Sequence, residues 1–194
     1  MDKMKVCHDV LRAENQPFAD ERDKKKFLDL VEEQKKEKEL DIFAFCVTDE
    51  ECHFLVLGDS EGKLAEAADA VVKNFAAHYS AHHKGEEVQL VRKNKSRELM
   101  DHEELIESCR RIHMIAIEQK LALKPEDYWW SSLGEYRKLP PRQRDMVNTG
   151  VILKYLDRNR NRALGRFWTG RAETAKRGKT RPHCPAGKKC PGSL

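Results

Sequence analysis

Aromatic residues make up only 7% of this 194-residue sequence, while Asp, Glu, Lys and Arg make up 36%. No apolar run approaches the roughly 20 residues needed to cross a bilayer, which excludes a helical membrane span. The N-terminus also lacks the apolar stretch of a secretory signal, so a cytoplasmic protein with no membrane role is expected. Cysteine offers no scaffold either. Cys7, Cys46, Cys52, Cys109, Cys184 and Cys190 follow no framework spacing, and four of them sit in apolar segments. That pattern fits reduced core thiols, and His183 with Cys184 and Cys190 supplies too few ligands for zinc. What remains is a chain long enough for one domain with an appendage, and periodic enough to fold beneath a heavily charged surface.

The charge is unevenly placed. From Arg158 onward, eleven basic residues face only Glu173, which leaves that segment at +10 and, given +4 overall, Met1–Asp157 at −6. The basic set includes Arg158, Arg160, Arg162, Arg166, Arg171, Lys176, Arg177, Lys179 and Arg181. A basic arm on an acidic body points to a polyanion partner, with nucleic acid ahead of mere solvation.

The most informative stretch is Asp41–Leu57, DIFAFCVTDEECHFLVL. Two β-branched and aromatic runs flank a short polar link, which predicts a β-hairpin. Side chains alternate along a strand, so Glu51 and His53 share one face, where a carboxylate and an imidazole can take a divalent metal. Before the hairpin, Met4–Leu11 reads as a strand, and Asp20 caps a helix running to about Lys38. After it, Leu64, Ala67, Ala68, Val71, Val72, Phe75, Ala76 and Tyr79 fall at helical spacing. Glu87–Val91 alternates like a fourth strand. The order is βαββαβ, an α+β, ferredoxin-like antiparallel sheet with the first and third strands central and one face open. A third helix over about Asp101–Leu123 is expected on that face. Short helices follow at Leu133–Lys138, Val147–Leu156 and Ala163–Trp168, with a hinge at Pro140-Pro141. The domain reading is a body over 1–139, a helical extension over 140–169 and a basic, disordered tail over 170–194.

Four segments in this order resemble the REP-associated tyrosine transposases, single-tyrosine members of the HUH endonuclease superfamily. HDVLRAENQPF with DERDKKKFLDLV is similar to the family's first strand, Arg-x-x-Asn turn and first helix. The hairpin Phe45–Val56 lies over Tyr-Cys-Leu-Met-Pro-Asn-His-Val-His-Leu-Leu-Leu. The segment Arg110–Ala116 lies over Arg-Tyr-Ile-His-x-Asn-Pro. Most specific is Pro125-Glu-Asp-Tyr-Trp-Trp-Ser-Ser132 with Tyr136, close to Pro-Glu-Asp-Tyr-x-Trp-Ser-Ser and its following tyrosine.

The resemblance implies a cation, Mg²⁺ or Mn²⁺, held by two histidines and a polar residue of the third helix. It also implies a helix tyrosine that attacks a single-stranded DNA phosphate. This chain departs at those positions. Glu51 replaces the first histidine and His53 keeps the second, while Arg111 stands for the tyrosine and Ile115 for the helix ligand. A guanidinium is no nucleophile and an isoleucine coordinates nothing. Divalent binding is therefore expected to be weak or absent, with no cofactor required. Tyr79, Tyr128 and Tyr136 are the candidates for a displaced nucleophile. The expected function is binding of hairpin or single-stranded DNA, or of structured RNA, with cleavage lost. Arg92, Lys93, Lys95 and Arg97 would contribute beside the basic arm. An active nuclease with a rearranged site, or a protein-interaction module, are the alternatives.

Overall fold

In the computed structural model, which describes residues 5–13, 15–98, 102–137 and 144–169, the chain runs β1 (Lys5–Arg12), α1 (Glu21–Glu37), β2 (Asp41–Val47), β3 (Glu51–Gly58), α2 (Glu61–His82) and β4 (Val91–Glu98). It continues through α3 (His102–Glu118), a 3-10 turn (Pro125–Asp127), α4 (Leu133–Arg137), α5 (Thr149–Leu156) and α6 (Arg160–Thr169). The four strands form one antiparallel sheet in the order β2-β3-β1-β4. The α+β, βαββαβ expectation therefore holds, with the first and third strands central. No helix among the described residues is long and apolar enough to cross a membrane.

The β2–β3 hairpin closes where the polar link predicted it. Thr48 N–H donates to Glu51 C=O at 2.8 Å, and Glu51 N–H donates to Thr48 Oγ1 at 3.2 Å. On one face the sheet carries α1 and α2, joined through Phe18, Phe27 and Phe75, whose ring centroids lie 4.9 to 5.3 Å apart, with Phe54 of β3 behind them. Asp20 caps α1 as expected, its side chain accepting from Arg22 N–H at 2.7 Å. Truncating any one of these buried rings to alanine costs about 3–5 kcal/mol.

The other face carries α3, which packs chiefly on β2 and less on β3. The segment Tyr128–Tyr136 seals the outer edge of β2, where unpaired backbone groups would otherwise face solvent. Val47 N–H donates to Trp130 C=O at 2.9 Å, and Tyr128 O–H donates to Val47 C=O at 2.7 Å. Phe45 N–H donates to Ser132 Oγ at 2.9 Å, and Tyr136 O–H donates to Phe43 C=O at 2.8 Å. The Pro-Glu-Asp-Tyr motif thus does structural work.

Two expectations need correction. Glu87–Val91 is not a strand; β4 begins at Val91 and is built from the basic run to Glu98. Edge strands are stitched by backbone bonds to one neighbour and tolerate charged side chains, so β4 shows no apolar alternation. The third helix ends at Glu118, five residues short of the expected stretch, at a turn in which Leu121 N–H donates to Ala116 C=O. Asp101, the Pro140-Pro141 hinge and the tail from residue 170 lie outside the described residues. Residues 144–169 add Met146, Ile152, Leu153, Ala163 and Phe167 to the body's own core. Cys7, Cys46, Cys52 and Cys109 are buried, and none of them is in a disulfide among the described residues.

Candidate functional site

Phe54 faces α1, so its strand neighbours Glu51 and His53 face the opposite way, towards α3. Just beyond α3, Gln119 Nε2 donates to Glu51 Oε1 at 2.6 Å, which ties the helix end to the strand start. His53 Nδ1 lies 3.3 Å from Nε2 of His8 on the neighbouring strand β1. Its other nitrogen, Nε2, lies 3.2 Å from Glu51 Oε1. That separation suits an ion pair, yet Nε2 is buried with no hydrogen-bond partner, so the carboxylate lies off the hydrogen-bond axis.

The two departures on α3 sit differently. Ile115 is half-buried and packs against the core. Arg111, one turn earlier, is 75% exposed and pairs loosely with Glu107 at 3.6 Å. None of the candidate tyrosines reaches Glu51 and His53. Tyr79 is on α2, across the sheet, stacked on His83. Tyr128 and Tyr136 are tied to the β2 edge, and burial pushes both phenols above their usual range. Tyr155, its ring tilted against that of His102 with centroids 3.7 Å apart, stands at the start of α3. Seventeen helical residues, about 25 Å, separate it from Gln119.

The expected nucleic-acid contacts are dispersed. Arg92 is held by Asp9 through bonds of 2.7 and 2.8 Å, which removes it from the freely presented cations. Lys93 is exposed and pairs in register with Val10, itself opposite His53. Lys95 and Arg97 pair in register with His8 and Val6, and their side chains lie outside the description. On the extension Arg158 is exposed, whereas Arg162 and Arg166 pair with Asp157 at 3.2 and 3.4 Å. Arg160 is half-exposed at the start of α6. Arg171, Lys176, Arg177, Lys179 and Arg181 lie outside the described residues. Arg110, beside Arg111, donates to the carbonyls of Arg166 and Phe167 and so caps α6.

No family model and no curated protein sequence matches this chain. Among solved structures, one of a REP-associated tyrosine transposase bound to a REP hairpin matches with a TM-score of 0.55 and 10% identity, over 73% of this chain and 85% of that one. This chain has that transposase's fold.

The resemblance implies a divalent cation, and the donors at the matching place suit one in part. Glu51 Oε1 and His53 Nε2 are an oxygen and an imidazole nitrogen side by side, and the orphaned nitrogen lacks the partner that buried polar atoms normally find. Among the described residues no three of His, Cys, Asp and Glu are grouped to hold a metal. His8 does not join the pair, because it meets His53 at the ring nitrogen turned away from Glu51. His8 and Gln119 are the residues that sequence reasoning missed. Gln119 carried one usable signal, standing four residues beyond Ile115 and eight beyond Arg111, on the same helical line.

Proposed function

We propose that this chain binds hairpin or single-stranded DNA and does not cut it. The reading rests on one observation: a fold shared with a hairpin-bound transposase, with Arg111 standing where the motifs place the nucleophile. No tyrosine within the described residues stands in for it, since each is locked at the β2 edge, across the sheet, or at the far end of α3. The half of the sheet that α3 does not cover, β1 and β4, presents Lys93 beside His8 and His53. A strand lying there would meet a polar floor, and the basic extension and tail would supply most of the phosphate contacts. A cation held by Glu51 and His53 would neutralise a DNA phosphate without driving an attack on it.

The test is binding of an imperfect-palindrome DNA hairpin by fluorescence anisotropy between about 50 and 200 mM salt. Affinity should fall steeply with salt, and deleting residues 170–194 should weaken all hairpins alike and flatten the slope. Denaturing gels should show no covalent adduct. An unchanged affinity and salt slope after the deletion would sink the reading, and an adduct would favour the active nuclease.

A further inference from the structure

The basic extension carries an aromatic ring that phosphate contacts alone do not explain. Tyr155, next to last in α5, is 44% exposed, and its ring lies against that of the exposed His102 with centroids 3.7 Å apart. A tyrosine held so far out of the core forgoes most of the burial that makes aromatic side chains useful to a fold. The other large aromatics differ. Trp129 is as exposed, but it follows the acidic pair Glu126-Asp127, a poor neighbourhood for a polyanion. Trp168 has the Arg137 guanidinium over its ring, 4.8 Å from the centroid.

Tyr155 stands at a corner that is both basic and fixed. Lys154 precedes it and Arg158 follows three residues later, and both are exposed. The turn from α5 into α6 is held by Asp157, which accepts Asn159 N–H at 2.8 Å and pairs with Arg162 and Arg166 at 3.2 and 3.4 Å. Arg166 also donates to Leu156 C=O at 2.8 Å. These contacts neutralise Asp157 and do not involve Lys154 or Arg158. On the opposite side, Glu103 and Glu104 follow His102 in the first turn of α3, where acidic groups suit the helix N-terminus. A phosphate is repelled there, whereas the uncharged face of a base is not. The corner therefore fits a ligand with a flat, uncharged ring and anionic groups to one side of it.

We propose that Tyr155 is a stacking platform for an unpaired base of bound DNA, with Lys154 and Arg158 holding the phosphates beside that nucleotide. His102 is a positioning residue that backs the tyrosine ring. Stacking on an aromatic side chain accepts every base, because each has a π-face, so the platform senses that a nucleotide is unpaired and not which one it is. The site lies about 25 Å, the length of α3, from Glu51 and His53 and is separate from them. It rests on the DNA-binding reading and adds to it a reason to prefer unpaired over fully paired DNA.

The experiment compares two DNAs of equal charge by fluorescence anisotropy with the full chain. One is a hairpin with a single-stranded extension; the other is the same molecule with every unpaired nucleotide made abasic, which keeps the phosphates and removes the bases. The wild type is expected to bind the abasic form about fivefold or more weakly, the effect of one base–aromatic stack. Tyr155→Ala should lose that preference at an unchanged salt slope, because no phosphate contact is removed, and Tyr155→Trp should enlarge it. Lys154→Ala and Arg158→Ala should weaken both forms alike, each lowering the salt slope by about one. Thermal melts check that each variant folds, and Tyr155→Trp keeps a ring in place if the alanine variant does not. A Tyr155→Ala protein that keeps the preference, or a wild type that binds both forms equally, overturns the inference and leaves DNA binding standing. A wild type that binds neither form removes the DNA-binding reading and this site with it.

Discussion

Replacing Glu135 with glutamine should stabilise this protein at alkaline pH and change little in acid. Glu135 lies on α4 and is buried, and its Oε2 accepts Val147 N–H at 2.9 Å, which fastens the segment leading into α5. Its Oε1 is buried with no partner. Desolvation therefore favours the neutral acid and pushes the carboxyl up to about 7 from an ordinary 4.5, although backbone bonds from Val147 and Met146 pull the other way. Below the ordinary value both folded and unfolded chains are protonated, and the group costs nothing. Between about 4.5 and 7 the unfolded chain ionises first, so stability falls as pH rises, and above about 7 the loss levels off. At about 1.4 kcal/mol per pH unit the full penalty is about 3 kcal/mol.

Glutamine reproduces the neutral acid. Its carbonyl still accepts from Val147, and its NH₂ stands where the acid's O–H would be. At pH 8.5 the variant should recover most of that penalty, raising Tm by about 6–12 °C for a chain of this size, and by far less at pH 4. Differential scanning calorimetry of both proteins across this range isolates the term, because every other titrating group is common to the two. Curves that run parallel from pH 4 to 8.5 would refute the argument, as would a variant that is less stable at every pH.

Two further outcomes follow from the same geometry. Arg111→Tyr should not restore cleavage, because residue 111 is exposed beside Glu107 and Ile115 one turn on supplies no metal ligand; a covalent adduct with a hairpin oligonucleotide on a denaturing gel would show otherwise. Tyr136→Phe should cost about 1–3 kcal/mol in urea unfolding, since it strands the buried Phe43 carbonyl that the phenol now satisfies, and an unchanged midpoint would mean another donor reaches it.

Much of this fold was legible because its elements bury one face at a regular period. The hairpin, α1 and α2 follow their apolar spacing closely, and Asp20 marks the start of α1. The basic strand β4 was not legible, because its pairing with β1 runs through backbone groups that leave no side-chain pattern. At the candidate site, Glu51 and His53 were placed on the right face by alternation alone. His8 and Gln119 were not found, since one comes from a neighbouring strand and the other from a helix end whose contact with Glu51 depends on how α3 lies across β2 and β3.

The distribution of altered and retained motifs has a physical cause. Arg111 faces solvent, and Ile115 lies half-buried against the core, so neither side chain makes a hydrogen bond that holds the sheet together. Tyr128, Ser132 and Tyr136 each bond a β2 backbone group, and His113 lies between the layers, with one ring nitrogen 2.8 Å from Ser132 Oγ. Burial holds that imidazole neutral by lowering it to about 3, so it too is a packed structural group and no proton carrier near neutral pH. Losing any of these would leave buried polar groups unpaired, at about 1–3 kcal/mol each. Chemistry on this scaffold can therefore be substituted on one side of α3 while the β2 seal on the other stays fixed.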